Sequence, residues 1–119
     1  MGLIGNVSRS LDGTEEPEVI ISDLSRDTDE SLADLRRETV NAVARQQQLE
    51  NRVTTAGEIA EELEEEAALA LEHGNEPLAR RILDERLDAL KARASLREEL
   101  KRATTRAKHL KSDLVRMEE

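Results

Sequence analysis

From residue 21 onward the apolar and small positions advance in steps of three and four. Ile21, Leu24, Thr28, Leu32, Leu35, Thr39, Ala42, Gln46, Leu49, Val53, Ala56, Ala60, Leu63, Ala67 and Ala70 form one such series. This is an a/d stripe kept up for about seven heptads, and its early four-four step through Thr28 locally relaxes the supercoil. A second series runs through Leu83, Leu87, Leu90 and Ala94, slips register near Arg93, and resumes as Leu96, Leu100, Ala103, Ala107, Leu110, Leu114 and Met117. Between the two lies His73-Gly74-Asn75-Glu76-Pro77. Gly74 and Asn75 accept a positive φ, and Pro77 opens a new helix, so this segment stops one helix and starts another. Upstream, Asp12-Gly13-Thr14 supplies a cap, and Glu15, Glu16, Pro17 and Glu18 suit the positive end of a helix. The pattern predicts an all-α chain: a leader over 1–13, then a long antiparallel helical hairpin (coiled coil) over 14–119. Its parts are a helix over 14–72, a turn over 73–77 and a helix over 77–118, the helices roughly 80 Å and 60 Å long at the usual rise per residue.

Composition narrows the picture. The 119 residues include no aromatic side chain, no cysteine and two histidines, and 38% are charged. Without Phe, Tyr or Trp a layered globular core is disfavoured, whereas Ala, Glu, Arg and Leu suit long helices. The lack of cysteine excludes a disulfide framework, thiolate chemistry and the usual structural zinc site. No apolar run approaches the ~20 residues that span a bilayer, and no basic-then-apolar signal opens the chain, so the default expectation is a cytoplasmic protein.

Charge is distributed unevenly. Residues 1–79 carry six arginines against nineteen acidic residues, net −13, while residues 80–119 carry twelve basic against eight acidic residues, net +4. Folding about residue 75 sets Glu58, Glu61, Glu62, Glu64, Glu65 and Glu66 opposite Arg80, Arg81, Arg86, Lys91 and Arg93. Exposed pairs of this kind contribute about 0–1 kcal/mol each, so they select register more than they set stability. Much of the stripe is Ala, Thr or Gln, which bury little area. A lone hairpin with such a seam is marginal and calls for further partners.

The residues give little support for catalysis or cofactors. Six glutamates within nine residues invite a carboxylate metal site, but a di-iron bundle needs Glu-x-x-His pairs. Ala70 stands three before His73 and Arg106 three before His109, so no metal or other cofactor is expected. No Ser or Thr has a neighbouring base with its orienting group, and no Gly-rich phosphate loop is present, so an enzyme is not expected. Nucleic acid is not expected either, because six acidic residues interrupt the basic stretch 80–116 and no aromatic offers a stacking platform. The leader is mildly amphipathic: Leu3 (or Ile4), Val7 and Leu11 would share one helical face. On the residues alone it reads either as an interfacial membrane anchor or as an unstructured terminus. Asn6 and Val7 do not supply the Ser or Thr of a myristoylation signal.

The ordered set of segments resembles the phage shock protein A family, which includes the vesicle-inducing protein of plastids and belongs with the ESCRT-III-like membrane remodellers. The resemblance rests on the Met1-Gly2-Leu3-Ile4 start and on Glu15-Glu16-Pro17-Glu18 opening a long helix. It continues through Ser31-Leu32-Ala33-Asp34-Leu35-Arg36, Gln46-Gln47-Gln48-Leu49, Glu66-Ala67-Ala68-Leu69-Ala70-Leu71 and Glu76-Pro77-Leu78-Ala79-Arg80. It implies a cytoplasmic, peripheral protein on the inner face of the cell membrane. Such proteins act as stress scaffolds that polymerise into rods or rings on anionic lipid, with the leader, here Leu3, Ile4, Val7 and Leu11, inserting into the bilayer. Arg36 falls where the family has an arginine that bridges to a neighbouring subunit. Some members also bind a AAA+ transcription activator through the hairpin, so the alternative implied role is a regulatory coiled-coil adaptor. Leu63 stands where some relatives have a tryptophan associated with that activator. The family continues through further helices where this sequence stops, so the chain is expected to be a fragment or a short member.

Overall fold

The computed structural model describes residues 16–119, with side chains described from Arg26 onward. It contains two helices, α1 (Glu16–Glu72) and α2 (Glu76–Glu118), of 57 and 43 residues. At 1.5 Å per residue they are about 86 Å and 64 Å long. They lie antiparallel along one shared seam, giving an all-α hairpin.

The turn is closed by a short set of backbone and cap hydrogen bonds. Asn75 N–H donates to Ala70 O at 2.8 Å and Gly74 N–H to Leu71 O at 3.0 Å, while Gly74 adopts φ +74°. These crossed bonds form the Schellman closure, and the left-handed residue within it favours glycine. Asn75 then caps α2, its Oδ1 accepting from Leu78 N–H at 3.2 Å and its carbonyl from Ala79 N–H at 3.1 Å. Pro77 falls in the first turn of α2, where no intrahelical N–H bond is lost, and Glu76 meets the positive helix end.

On α1 the buried positions are Thr39, Ala42, Leu49, Ala56, Ala60, Ala67 and Ala70, with Leu32, Leu35, Gln46, Val53 and Leu63 half-buried between them. These are the stripe positions of the sequence; Thr28 is exposed, and Ile21 and Leu24 lie outside the described side chains. Leu49 is the one large side chain sealed from solvent among the described residues, at 1% exposure, and Ala79 and Ala107 on α2 match it at 1%. The seam is therefore built chiefly from methyl groups, which let the two backbones approach closely. Thr39 satisfies its buried hydroxyl by donating to Leu35 O at 2.7 Å.

The α2 face differs from the sequence reading. Leu83 and Leu87, expected in the seam, are 42% and 50% exposed, and Ala94 is exposed. The positions that face α1 are Ala79, Ile82, Arg86, Ala89, Arg93, Leu96, Leu100, Ala103, Ala107, Leu110 and Leu114. They alternate three and four without a slip. A continuous register admits two arginines to the seam, because each can lay its methylenes along the interface and carry its charged end outward. Arg86 reaches Glu64 at 3.7 Å, and Arg93 lies across Gly57, where an added Cβ would stand 3.5 Å from its Nη1 and 3.7 Å from its Cδ.

Two outcomes check this register by thermal denaturation. Leu49→Ala costs about 2–4 kcal/mol, the range for emptying a sealed leucine site, whereas Leu83→Ala, measured at high salt on the single hairpin, costs under about 0.5 kcal/mol as a surface change. Equal losses at both sites would place Leu83 back in the seam. Arg86 Nε is buried with no hydrogen-bond partner. Arg86→Leu therefore raises the melting temperature, because an apolar isostere removes an unsatisfied polar group from the seam. A marked loss would show that the pair with Glu64 outweighs that penalty.

Candidate functional site

Among the described residues the concave features include open grooves along the hairpin. One is lined by Glu66, Leu69, Ala70, His73, Leu78 and Ile82 beside the turn. Another, at mid-length, involves Gln48, Arg52, Thr55, Ile59 and Leu96. Among the described residues no group of three His, Asp or Glu stands close enough to hold a metal ion. Among them, too, no helix is long and apolar enough to cross a membrane. What the geometry offers is surface: two long helix flanks and the tip.

The tip is exposed from Leu71 to Pro77. Gly74 and Asn75 build its backbone rather than present chemistry, and His73 is held locally, its Nδ1 2.8 Å from Leu69 O. Arg80 donates to Glu76 at 2.6 Å one turn into α2. Leu63, half-buried within the seam, sits well back from the turn.

Arg36 lies at the opposite end of the hairpin. Its Nε donates to Glu118 Oε1 at 3.0 Å, so its guanidinium joins the start of the paired region of α1 to the end of α2. Both partners are solvated, with 57% and 43% of their side-chain area exposed, which makes the bond weak and leaves the remaining guanidinium N–H groups accessible. Residues Leu3, Ile4, Val7 and Leu11 lie outside the described residues. Because α1 is longer than α2, 57 residues against 43, it overhangs α2 by about four turns.

Two cross-helix ion pairs besides that of Arg36 appear among the described residues: Arg45 to Glu99 at 3.3 Å and Arg86 to Glu64 at 3.7 Å. Gln46 adds a bond to Thr104 at 3.4 Å. The pairing read from charge thus reduces, in the acidic stretch, to Glu64 with Arg86. Several of the other charges bond within their own helix, as Arg37 does with Asp34, Lys101 with Glu98 and Arg116 with Asp113. Arg93 and Arg86 as seam residues, and Gly57 beneath Arg93, were not picked out by sequence. The available signal was the slip itself, which disappears once arginine is allowed at a seam position.

Asn75→Ala removes the only side-chain cap at the tip and costs about 1 kcal/mol of stability, measured by chemical denaturation. Gly74→Val costs more than Asn75→Ala, since it forces a β-branched residue to a positive φ. Equal stability of Gly74→Val and the parent would show that the turn can close without a left-handed residue.

The geometry can be set beside known proteins. Over 113 residues the chain is 27% identical to the membrane-associated protein Vipp1 of Nostoc punctiforme, covering 95% of this chain and 44% of that protein. A phage shock protein A homolog of Deinococcus radiodurans is 37% identical over 81 residues, covering 68% of this chain and 36% of the relative. The Vipp1 of Synechocystis is 26% identical over 113 residues, with 95% and 42% covered. The chain thus spans less than half the length of these curated relatives. The profile of the PspA/IM30 family matches residues 2–119, and the chain belongs to that family.

Proposed function

We propose that this chain is a peripheral membrane-stress scaffold of the phage shock protein A type, which self-assembles into rods or rings and binds anionic membrane surfaces without chemical catalysis. The observation that carries this reading is the family match over residues 2–119, together with relatives named as membrane-associated. The hairpin supports it physically. Its seam of alanines contributes little burial per residue, and its long flanks leave apolar side chains uncovered, so further stabilisation has to come from neighbours. In this reading the face of Leu3, Ile4, Val7 and Leu11 enters the lipid interface, and many shallow insertions along an assembly add avidity that one leader lacks. Arg36 would serve as a contact to acidic residues of an adjacent subunit.

Co-sedimentation with anionic vesicles, followed by negative-stain imaging, tests the reading. Ordered rods or rings in the pellet, lost on deletion of residues 2–11, are the expected result. A chain that ignores vesicles with its leader intact overturns the membrane reading and favours an adaptor that captures a partner protein through the hairpin.

The role of Arg36 has its own test. Arg36→Glu is expected to block assembly. If the residue acts between subunits, adding Glu118→Arg leaves assembly blocked; restoration by the double variant would assign Arg36 to the bond within the hairpin.

A further inference from the structure

Eight large hydrophobic side chains are exposed among the described residues: Val40, Ile59, Leu69, Leu71, Leu83, Leu87, Val115 and Met117. Their distribution is uneven. Residues one place after each seam position lie about 100° round their helix, and in an antiparallel pair the two such flanks fall on one side of the hairpin. Val40, Leu71, Leu83, Leu87 and Val115 all occupy that flank. Leu71, Leu83 and Leu87 cluster toward the tip, and Val40 and Val115 lie toward the other end.

Charge divides the hairpin at the same place. The tip half, residues 55–96, holds eleven acidic and five basic residues, net −6. The half beyond it, residues 34–54 with 97–119, holds eleven basic and eight acidic residues, net +3. On the flank just described, Arg97, Lys101, Lys108 and Lys111 populate the basic half. Lysine stems of this kind can cover leucine side chains while their ammonium groups remain in water.

We infer that, in the absence of lipid, two copies of this chain pair through this flank in antiparallel orientation, the leucine-bearing acidic tip of each lying on the basic half of the other. The charge zones decide the direction. On this flank itself the tip half carries Glu61, Glu64 and Arg80, net −1, and the other half Arg36, Glu50, Arg97, Lys101, Lys108 and Lys111, net +4. A face-to-face pair in parallel would set +4 against +4, whereas the antiparallel pair sets +4 against −1 twice. The arrangement is isologous and closes on itself. A two-fold axis passing near Ala94 brings Leu87 of one copy beside Lys101 of the other, and Leu71 beside Val40. The contact goes beyond the membrane reading and is independent of it: it needs no leader, no lipid and no open polymer.

Sedimentation equilibrium of the whole chain without lipid tests it, at low and high salt (about 0.05 M and 1 M). The expected result is a dimer at low salt whose dissociation constant rises roughly tenfold or more at high salt, as screening removes the zone attraction. Leu83→Ser with Leu87→Ser is expected to give a monomer of unchanged helical circular dichroism, because both side chains are exposed in the single hairpin. The natural chain has no cysteine, so mixed single-cysteine proteins report direction. Leu87→Cys protein is expected to cross-link to Lys101→Cys protein in preference to itself. A natural chain that is monomeric at low salt, or a double-serine variant that still dimerises, overturns the contact. Preferential self-linking of Leu87→Cys protein overturns its direction. With no vesicle in the sample, each result stands whichever way the vesicle experiment falls.

Discussion

Close approach of two helix backbones along an alanine-lined seam is the constraint from which the rest of this molecule follows. Ala42, Ala56, Ala60, Ala67, Ala70, Ala79 and Ala107 are all buried, and Leu49 and Leu110 are the large side chains buried with them among the described residues. Small residues let the helices come near enough for backbone and Cβ dispersion contacts. They also limit how much apolar area one hairpin can remove from water. The same choice that makes the hairpin slender makes it dependent: leucines that would fill a wider core stand outside, where only another surface can cover them.

The two seam arginines fit within this constraint. Arg86 and Arg93 occupy core-facing positions, but the facing residues beside them are small or acidic, Gly57 under Arg93 and Glu64 beside Arg86. Each arginine uses its stem as packing and directs its charge toward the edge. The energetic return is small, since solvated ion pairs contribute little and Arg86 Nε has no partner. A register shifted by one residue would bury Leu83 and Leu87 and also displace Ala79 and Ala107 from the closest contacts. The alanine contacts prevail because there are more of them, spaced along the whole of α2.

The family relation and the hairpin geometry are consistent at the level of physics. A rod-shaped unit with a weak seam, a cationic half, an acidic tip and uncovered leucines is suited to association through many modest contacts rather than one deep site. Specificity in such a molecule resides in register and in charge zones along its length, as in other long helical assemblies.

The two helices, the turn at Gly74-Asn75 and the buried stripe of α1 were legible in the sequence, because each is set by local chemistry: a 3-4 periodicity, a left-handed glycine, a proline that opens a helix. The cap that Asn75 supplies at φ −94° was not read from it. The stripe from Leu32 to Ala70 could be read residue by residue, since small and apolar side chains on an otherwise charged helix leave one candidate face. The face of α2 could not. Hydrophobicity alone favours Leu83 and Leu87 over Arg86 and Arg93, and the choice depends on what stands opposite. Only the pairing of the helices supplies Gly57 and Glu64 there, and only the pairing makes Arg36 a neighbour of Glu118 across the length of the chain. The sequence by itself determined the two helices and the turn between them, which depend on neighbours a few residues away. The tertiary structure alone decided which side of α2 is the inside, because that depends on atoms contributed by a helix up to 82 residues distant.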